Sequence, residues 1–360
     1  MKVIRVIVAG MGNIGSILIQ ILGKMPFIQE IMLIDRDCYE VKNLTSQRIT
    51  MDAVGREKVS VQAESLRALN KDLKILPIHK DLQHLPVGML RSDLIFSCLD
   101  SPWARHLLME WAWRLGMPVI DAGVRTENKL ARVTFYDPHP ASACLECSWS
   151  EDHYNHARSE YPCEQQRTPS TNGSFSLGSL AASVQAIIGE EFLTGKAELG
   201  SKNQEILFNA ESKEYFKTNL QRNPHCRFDH NIWRIQSIPR RPQDITIGQL
   251  FDEAGMNKGR TWLRVENASF FMQGRCPACN HTWEIFQASH RDPHTQLFCP
   301  TCRENLISTS IDYRDRIEKG EFKEKQLRKT AAEIGITSDD IITFQSEDDQ
   351  QEIHVMLSPG

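Results

Sequence analysis

Residues 3 to 48 constrain this chain more than any other stretch. The apolar run Val3-Ile4-Arg5-Val6-Ile7-Val8 passes into Gly10-Met11-Gly12-Asn13-Ile14-Gly15-Ser16, after which apolar residues recur at helical spacing at Ile14, Leu18 and Leu22. The order is buried strand, glycine turn, helix. Residues without a Cβ let the backbone come close to a phosphate, and the helix that follows aims unpaired N–H groups and a positive dipole end at that anion. The turn is therefore built for a nucleotide. A second strand, Ile31-Met32-Leu33-Ile34, ends in Asp35, where a carboxylate usually meets a ribose hydroxyl. On these residues alone an NAD-dependent oxidoreductase fits.

The segment after Asp35 argues for a different nucleotide. Leu33-Ile34-Asp35-Arg36-Asp37-Cys38-Tyr39-Glu40-Val41-Lys42-Asn43-Leu44-Thr45-Ser46-Gln47 resembles the Asp-x-Asp-x-x-x-x-x-Asn-Leu-x-Arg-Gln segment of the ThiF/MoeB superfamily, the ATP-dependent (E1-like) enzymes that activate ubiquitin-like proteins. The resemblance implies ATP in place of NAD and puts Gly10, Gly12, Gly15, Asp35, Asp37, Asn43 and Gln47 in the cofactor site. The family's arginine falls on Ser46, and Arg48, two residues on, is the candidate for the same phosphates.

Composition describes a globular protein. At 360 residues and 41% hydrophobic content, the chain is long enough for two or three domains, each with a core. A formal net charge of −4 without a long basic run lacks the footprint of general nucleic-acid binding. Met1-Lys2-Val3-Ile4-Arg5 has the charge of a signal peptide's start, but Gly10 to Asn13 interrupts the apolar run, and no apolar segment reaches the length that spans a bilayer. A soluble, cytoplasmic protein is expected, with neither nucleic acid nor membrane as partner. Six of the ten cysteines form Cys-x-x-Cys pairs, which beside a nucleotide turn reads as metal rather than disulfide.

Gly55-Arg56-Glu57-Lys58-Val59 opens an amphipathic helix with Val59, Ala63, Leu66 and Leu69 on one face and Lys58 in or near its first turn. By itself Lys58 reads as a solvated lysine. Its place after Asn43-Leu44 resembles the family's lysine that neutralises charge on the ATP phosphates. Strands are predicted over 73–79 and 93–98, the second running into Leu99-Asp100-Ser101-Pro102-Trp103-Ala104-Arg105. Asp100 lies at the carboxyl end of its strand, where open α/β sheets place ligands, and a helix N-cap is the plainer alternative. In the family, a strand ending in Asp and a helix carrying Arg hold Mg-ATP, which puts Asp100 on the magnesium. Val119 to Gly123 and Ala131 to Tyr136 continue the sheet, and the repeated strand and helix units predict a doubly wound α/β domain.

Cys144-Leu145-Glu146-Cys147 stands where the family often carries half of a structural zinc site, although a lone pair of this kind also occurs in redox motifs. Cys226 and His230 are the best completing ligands, with His225 a rival, giving three cysteines and one histidine in place of the family's four cysteines. Between the halves, Tyr161-Pro162-Cys163-Glu164-Gln165-Gln166-Arg167-Thr168-Pro169 resembles the crossover loop that carries the nucleophilic cysteine of thioester-forming members. A thiolate is the natural acceptor for an acyl-adenylate; an ordinary loop cysteine is the alternative for Cys163. A small-residue run from Ser170 to Ser179 and a helix from Leu180 to Leu193 follow.

Residues 196–243 are more polar, and Ile238-Pro239-Arg240-Arg241-Pro242 reads as a linker. A helix over 245–254 and a strand over 261–265 precede Cys276-Pro277-Ala278-Cys279 and, after nineteen residues, Cys299-Pro300-Thr301-Cys302. Two such pairs supply four thiolates for a tetrahedral zinc ribbon, a closed site with no open catalytic position. The last segment, Lys323 to Leu357, reads as helix, turn at Gly335, strand over 341–344, acidic loop and strand over 352–357.

The expectation is thus an α/β protein, a Rossmann-like doubly wound sheet over 1–238 with a smaller C-terminal zinc-ribbon and α+β region at 244–320, and a helix and strand-pair tail at 321–360. The resemblance, over roughly residues 1 to 235, implies an enzyme that uses Mg-ATP to adenylate the C-terminal glycine of a ubiquitin-like protein. Lys58 and Asp100 would act at the phosphates, and Cys163 would take the acyl group as a thioester for a conjugating, E2-like partner. It also implies a homodimer; the first strand begins at residue 3, without the family's leading helix and its arginine. Adenylation of a sulfur carrier, an NAD-dependent oxidoreductase and an inactive binding scaffold are the alternatives.

Overall fold

The computed structural model describes residues 3–157, 174–196, 203–256, 259–290, 298–305, 311–347 and 351–358. The chain forms two compact units, one of Met1–Leu82 and Leu90–Ile232, the other of Gln83–Met89 and Trp233–Gly360.

The first unit runs β1 (Ile4–Ala9), α1 (Gly15–Leu22), β2 (Ile28–Ile34), α2 (Lys58–Leu69), β3 (Lys74–Ile78), β4 (Leu94–Ser97), α3 (Pro102–Arg114), β5 (Val119–Arg125), β6 (Leu130–Tyr136), α4 (Glu151–Ala157), α5 (Phe175–Leu193), β7 (Gln204–Asn209) and β8 (Glu214–Asn219). These strands make one sheet in the order β3-β2-β1-β4-β5-β6-β7-β8. From β3 to β5 the neighbours are parallel; β6, β7 and β8 add antiparallel. A parallel strand covered on both faces needs an unbroken apolar run, and Val6, Ile7, Val8 and Ala9 are all completely buried. Leu18, Ile19 and Leu22 of α1, Val59, Ala63 and Leu66 of α2, and Leu177, Ala181 and Ala186 of α5 complete that core. A leucine such as Leu18, wholly out of water, contributes about 1.5–3 kcal/mol.

One expectation here is corrected. Helix α5 begins at Phe175, five residues before Leu180, inside the run read as small residues. Ser174 caps it by accepting from the Leu177 amide, and Gly178, Ala181 and Ala182 are buried, so the small side chains are its packing face. The polar stretch after it contains the β7–β8 hairpin. Every residue of β8 is exposed and every residue of β7 half-buried, so neither strand shows the alternation that marks a strand in sequence.

The second unit contains β9 (Ile235–Ile238), α6 (Ile247–Glu253), β10 (Thr261–Val265), β11 (Ser269–Arg275), β12 (Thr282–Ser289), β13 (Ile311–Arg314), β14 (Ile317–Glu318), α7 (Glu324–Leu327), β15 (Ile342–Ser346) and β16 (Glu352–Leu357). They form a five-stranded sheet, β14-β10-β15-β16-β9, and a three-stranded one, β12-β11-β13. The run read as a linker starts inside β9: Ile238 is buried and pairs with Leu357. The tail strands β15 and β16 share a sheet with β10 of the ribbon segment. The helix read from Lys323 onward is only α7, of four residues. The Ile247 amide donates to the Lys329 carbonyl and the Ala331 amide to that of Ile245, and this strand-like pairing takes the backbone groups a longer helix would use. Gly335, at φ +86, ends the short turn that follows. Among the described residues no helix is long and apolar enough to cross a membrane.

Candidate functional site

The strand order turns back between β1 and β4, and in open parallel sheets the crevice at the carboxyl ends of two such strands receives the ligand. The glycine turn fills that crevice. A Cβ on Gly10, at φ +94, would lie 2.6 Å from the Cys98 carbonyl oxygen, and one on Gly15 would run into the carbonyl of Gly10. Those two glycines let the turn pack on itself and on the end of β4. Gly12 differs: the nearest atom to a Cβ there is Gln47 Nε2, at 3.9 Å, so the space before it is open. Helix α1 starts at Ile14 with no side-chain cap and no acidic residue in its first turn, leaving its positive end to an outside anion.

Asp35, at the end of β2, clamps this turn. Its Oδ2 accepts from the Met11 amide at 2.6 Å and its Oδ1 from the Asp37 amide at 2.8 Å. Burial raises its pKa, opposed by the Lys58 charge. Lys58, the first residue of α2, has a side chain only 10% exposed and places Nζ 2.9 Å from Asp37 Oδ2. Burial pulls its pKa down, but the carboxylates of Asp35, Asp37 and Asp100 outweigh that and the net shift is upward, so Lys58 is a held cation rather than a solvated one.

Asp100 is not the cap of α3. Ser101 takes that role, its Oγ accepting from the Ala104 amide at 3.3 Å, and Asp100 is left exposed with no hydrogen bond or ion pair among the described residues. Arg105, expected to share in holding Mg-ATP, turns inward. Its Nη2 donates to the carbonyls of Leu99 at 2.6 Å and Ala122 at 3.3 Å, and its Nε lies 2.9 Å from Asp121 Oδ1. It buttresses the loop that presents Asp100. Asp121 is completely buried on β5 and also accepts from Ser97 Oγ at 2.7 Å and Arg132 Nη2 at 2.6 Å. Sequence reasoning passed over Asp121; the signal was a carboxylate inside the apolar strand Val119-Ile120-Asp121-Ala122.

Asn43 is buried and accepts from the Glu40 amide at 2.8 Å, which shapes the turn between Asp37 and Gln47. Ser46, at the family's arginine position, is 4% exposed, whereas the Arg48 side chain is on the surface. Two polar atoms in or against the glycine turn are shut off from solvent without a partner, Ser16 Oγ and Gln47 Oε1. Orphaned polar atoms gathered at one turn, beside an uncapped helix, suit a site completed by a polar ligand.

Two metal-type clusters lie elsewhere. Cys144 Sγ is 3.8 Å from Cys147 Sγ and 3.7 Å from Cys226 Sγ, and Cys147 Sγ is 3.5 Å from His230 Nε2. Bond lengths of about 2.3 Å to sulfur and 2.0–2.1 Å to nitrogen in a tetrahedral zinc site give edges of about 3.8 and 3.6 Å. The donor set and its spacing therefore fit zinc, with His230 in the cluster rather than His225. Burial, then Arg222, lowers the His230 pKa and favours the neutral ring that a metal needs. In the second unit Cys276, Cys279, Cys299 and Cys302 gather within 4.8 Å of one another. Amides of Cys279 and Thr301 point at Cys276 Sγ and Cys299 Sγ at 3.5 and 3.4 Å, and Asn280 and Arg303, four residues after the first cysteine of each pair, take the same left-handed conformation. Cys163 lies outside the described residues.

An open sheet with a glycine turn at its switch point defines a doubly wound α/β protein of the dinucleotide-binding architecture. The ThiF family profile matches residues 1–228, and the chain belongs to the ThiF family. It is 31% identical over 166 residues to an adenylyltransferase and sulfurtransferase, uba4, of Aspergillus terreus, covering 40% of this chain and 34% of that protein. It is 27% identical over 157 residues to ubiquitin-like modifier-activating enzyme 5 of Aedes aegypti, covering 40% of this chain and 39% of that one. The chain thus spans little more than a third of either relative. The crystal structure of E. coli MccB with ATP superposes over 63% of this chain and 66% of that one, with TM-score 0.51 and 24% identity, a likeness of fold.

Proposed function

We propose that the chain is an E1-like adenylyltransferase that binds ATP at the glycine turn and adenylates the C-terminal glycine carboxylate of a ubiquitin-like protein. One observation carries the reading: Asp100 stands unpartnered beside the charge of Lys58, at the mouth of an uncapped turn clamped by Asp35. Membership of the ThiF family and the names of the relatives support it. In this reading Gly12 admits the nucleotide, Asp35 holds the ribose, and Asn43, Gln47 and Arg48 contact phosphates. Asp37 releases Lys58 to the phosphates. Asp100 would hold magnesium, which would supply further positive charge there. The attacking carboxylate and the α-phosphate are both anionic, so the work is positioning and charge neutralisation as pyrophosphate leaves. The two cysteine clusters would hold structural zinc. Cys163 then accepts the acyl group as a thioester and passes it to an E2-like partner, in a cytoplasmic homodimer.

ATP–pyrophosphate exchange tests this. Lys58→Ala and Asp100→Ala should each lower exchange by about 100- to 1000-fold, the usual cost of removing one preorganised charge. Exchange untouched by both changes would sink the reading, and calorimetry that finds NAD binding without ATP binding would replace it with an oxidoreductase. A second reading, adenylation of a sulfur carrier, is favoured by relatives whose names include sulfurtransferase. Mass spectrometry after ATP and carrier separates the two: a thiol-labile carrier adduct on the chain supports conjugation, and a thiocarboxylate product supports sulfur transfer.

A further inference from the structure

We propose that Asn13 is a positioning residue that couples nucleotide binding at the glycine turn to the first turn of α5. The inference rests on the nucleotide reading of that turn and adds a part to it that neither the motif nor the relatives assign. Asn13 follows Gly12, whose open face is where a ligand approaches. Its side chain points the other way, toward α5. Asn13 Nδ2 donates to the Ser174 carbonyl at 3.0 Å. That same carbonyl accepts from the Gly178 amide at 2.9 Å, and Ser174 Oγ accepts from the Leu177 amide at 3.4 Å. The start of α5 is thus organised on Ser174, and Ser174 is held by Asn13 on one side and by Thr126 Oγ1, at 3.3 Å from its amide, on the other.

The fit is specific to the pair. A Cβ on Gly178 would lie 2.5 Å from Asn13 Cγ and 2.6 Å from Nδ2, so the amide rests against the bare Cα of that glycine. Asn13 Oδ1, in the same contact, is buried without a partner. An amide with one end fastened and the other unsatisfied is sensitive to small movements of its backbone, and residue 13 is part of the turn that a phosphate would order. Anything that fixes the turn fixes Ser174, and by linkage anything that fixes Ser174 favours the bound turn. Cys163 stands eleven residues before Ser174 in the chain, so the coupled element is the one that the cysteine's segment leads into.

Hydrogen exchange on the full chain, with and without Mg-ATP, tests the coupling, with ATP affinity measured in parallel by calorimetry. In the wild type ATP should slow exchange of the Leu177 and Gly178 amides at least about 5-fold, the lower end of ordinary coupling. Asn13→Ala should still bind ATP and lose that protection. Gly178→Ala should lose it as well by forcing the amide out. Asn13→Gly combined with Gly178→Ala relieves the crowding, so the melting temperature should recover while the protection stays lost, an outcome that a purely structural contact would not produce. ATP that binds the wild type without slowing these amides, or slows them equally in Asn13→Ala, overturns the coupling. A wild type that binds no ATP overturns the nucleotide reading itself, and the coupling falls with it.

Discussion

Asp121 gathers two guanidinium groups and a hydroxyl on one carboxylate inside the first unit. It is completely buried, and two guanidinium groups, from Arg105 and Arg132, rely on it for counter-charge. Asp121→Asn keeps the shape and removes the charge, leaving Arg105 without its carboxylate and Arg132 with Glu205 alone. Chemical denaturation should show a loss of about 3–5 kcal/mol, and because Arg105 holds the Leu99 carbonyl beside Asp100, ATP–pyrophosphate exchange should fall as well. Asp35 gives a pH signature of the opposite kind from a salt-bridged carboxylate. The folded chain binds its proton more tightly than the unfolded chain does, so this group's contribution to stability falls as pH rises from about 3.8 to the folded value and is constant above it. Lys58 opposes the shift. Carboxyl-detected NMR should therefore find Asp35 titrating above its ordinary range in the wild type and higher again in Lys58→Met; a downward move would contradict the placement of that cation.

At the scale of the element, the glycine turn separates folding from binding. Gly12→Ala puts a methyl group into open space, with nothing closer than 3.9 Å, so thermal stability should stay near that of the wild type while ATP affinity drops about tenfold or more, the effect of blocking a close backbone approach to phosphate. Gly15→Ala drives its Cβ into the Gly10 carbonyl and should cost several kcal/mol, with binding lost as a consequence of the broken turn. Paired melting curves and calorimetry distinguish the two. If Gly12→Ala binds ATP as tightly as the wild type, the ligand does not approach from that side.

For the molecule as a whole, two metal clusters of different composition sit in two compact units. Native mass spectrometry should find two zinc ions per chain. Cys147→Ser should remove one and raise hydrogen exchange around Trp113, whose Nε1 donates to the His230 carbonyl at 3.1 Å. Cys279→Ser should remove the other and expose β11 to β13, between which the four cysteines lie in the chain. Metal content unchanged by either substitution would show that the clusters are not zinc sites. Structural zinc is worth on the order of 10 kcal/mol or more to a small metal-stapled fold, so a chelator strong enough to strip both ions should unfold the three-stranded sheet before the eight-stranded one with its larger apolar core.

Local chemistry was enough for the glycine turn, the first six strands and the ribbon's cysteines, because each is written in neighbouring residues: an apolar run, glycines at fixed offsets, cysteines three apart. Asp35 and Asp100 stood out by their places at strand ends, whereas Lys58 was marked only by the resemblance to the family. What contacts decide stayed hidden. The resemblance placed Arg105 beside Mg-ATP, whereas Asp121, sixteen residues away in the chain, holds it inward. Helix α5 began earlier than its apolar spacing suggests because its small residues are a packing surface, and β7 and β8 lacked alternation because neither presents one buried face. The helix expected after Lys323 gave way to backbone pairing with residues 245–247. The contact between Asn13 and Gly178 joins positions 165 residues apart, and no local pattern carries it. Periodicity and motif spacing report what a residue's neighbours in sequence require; which groups meet across the fold, and so which charge is buried, is settled only when distant segments compete for the same partners.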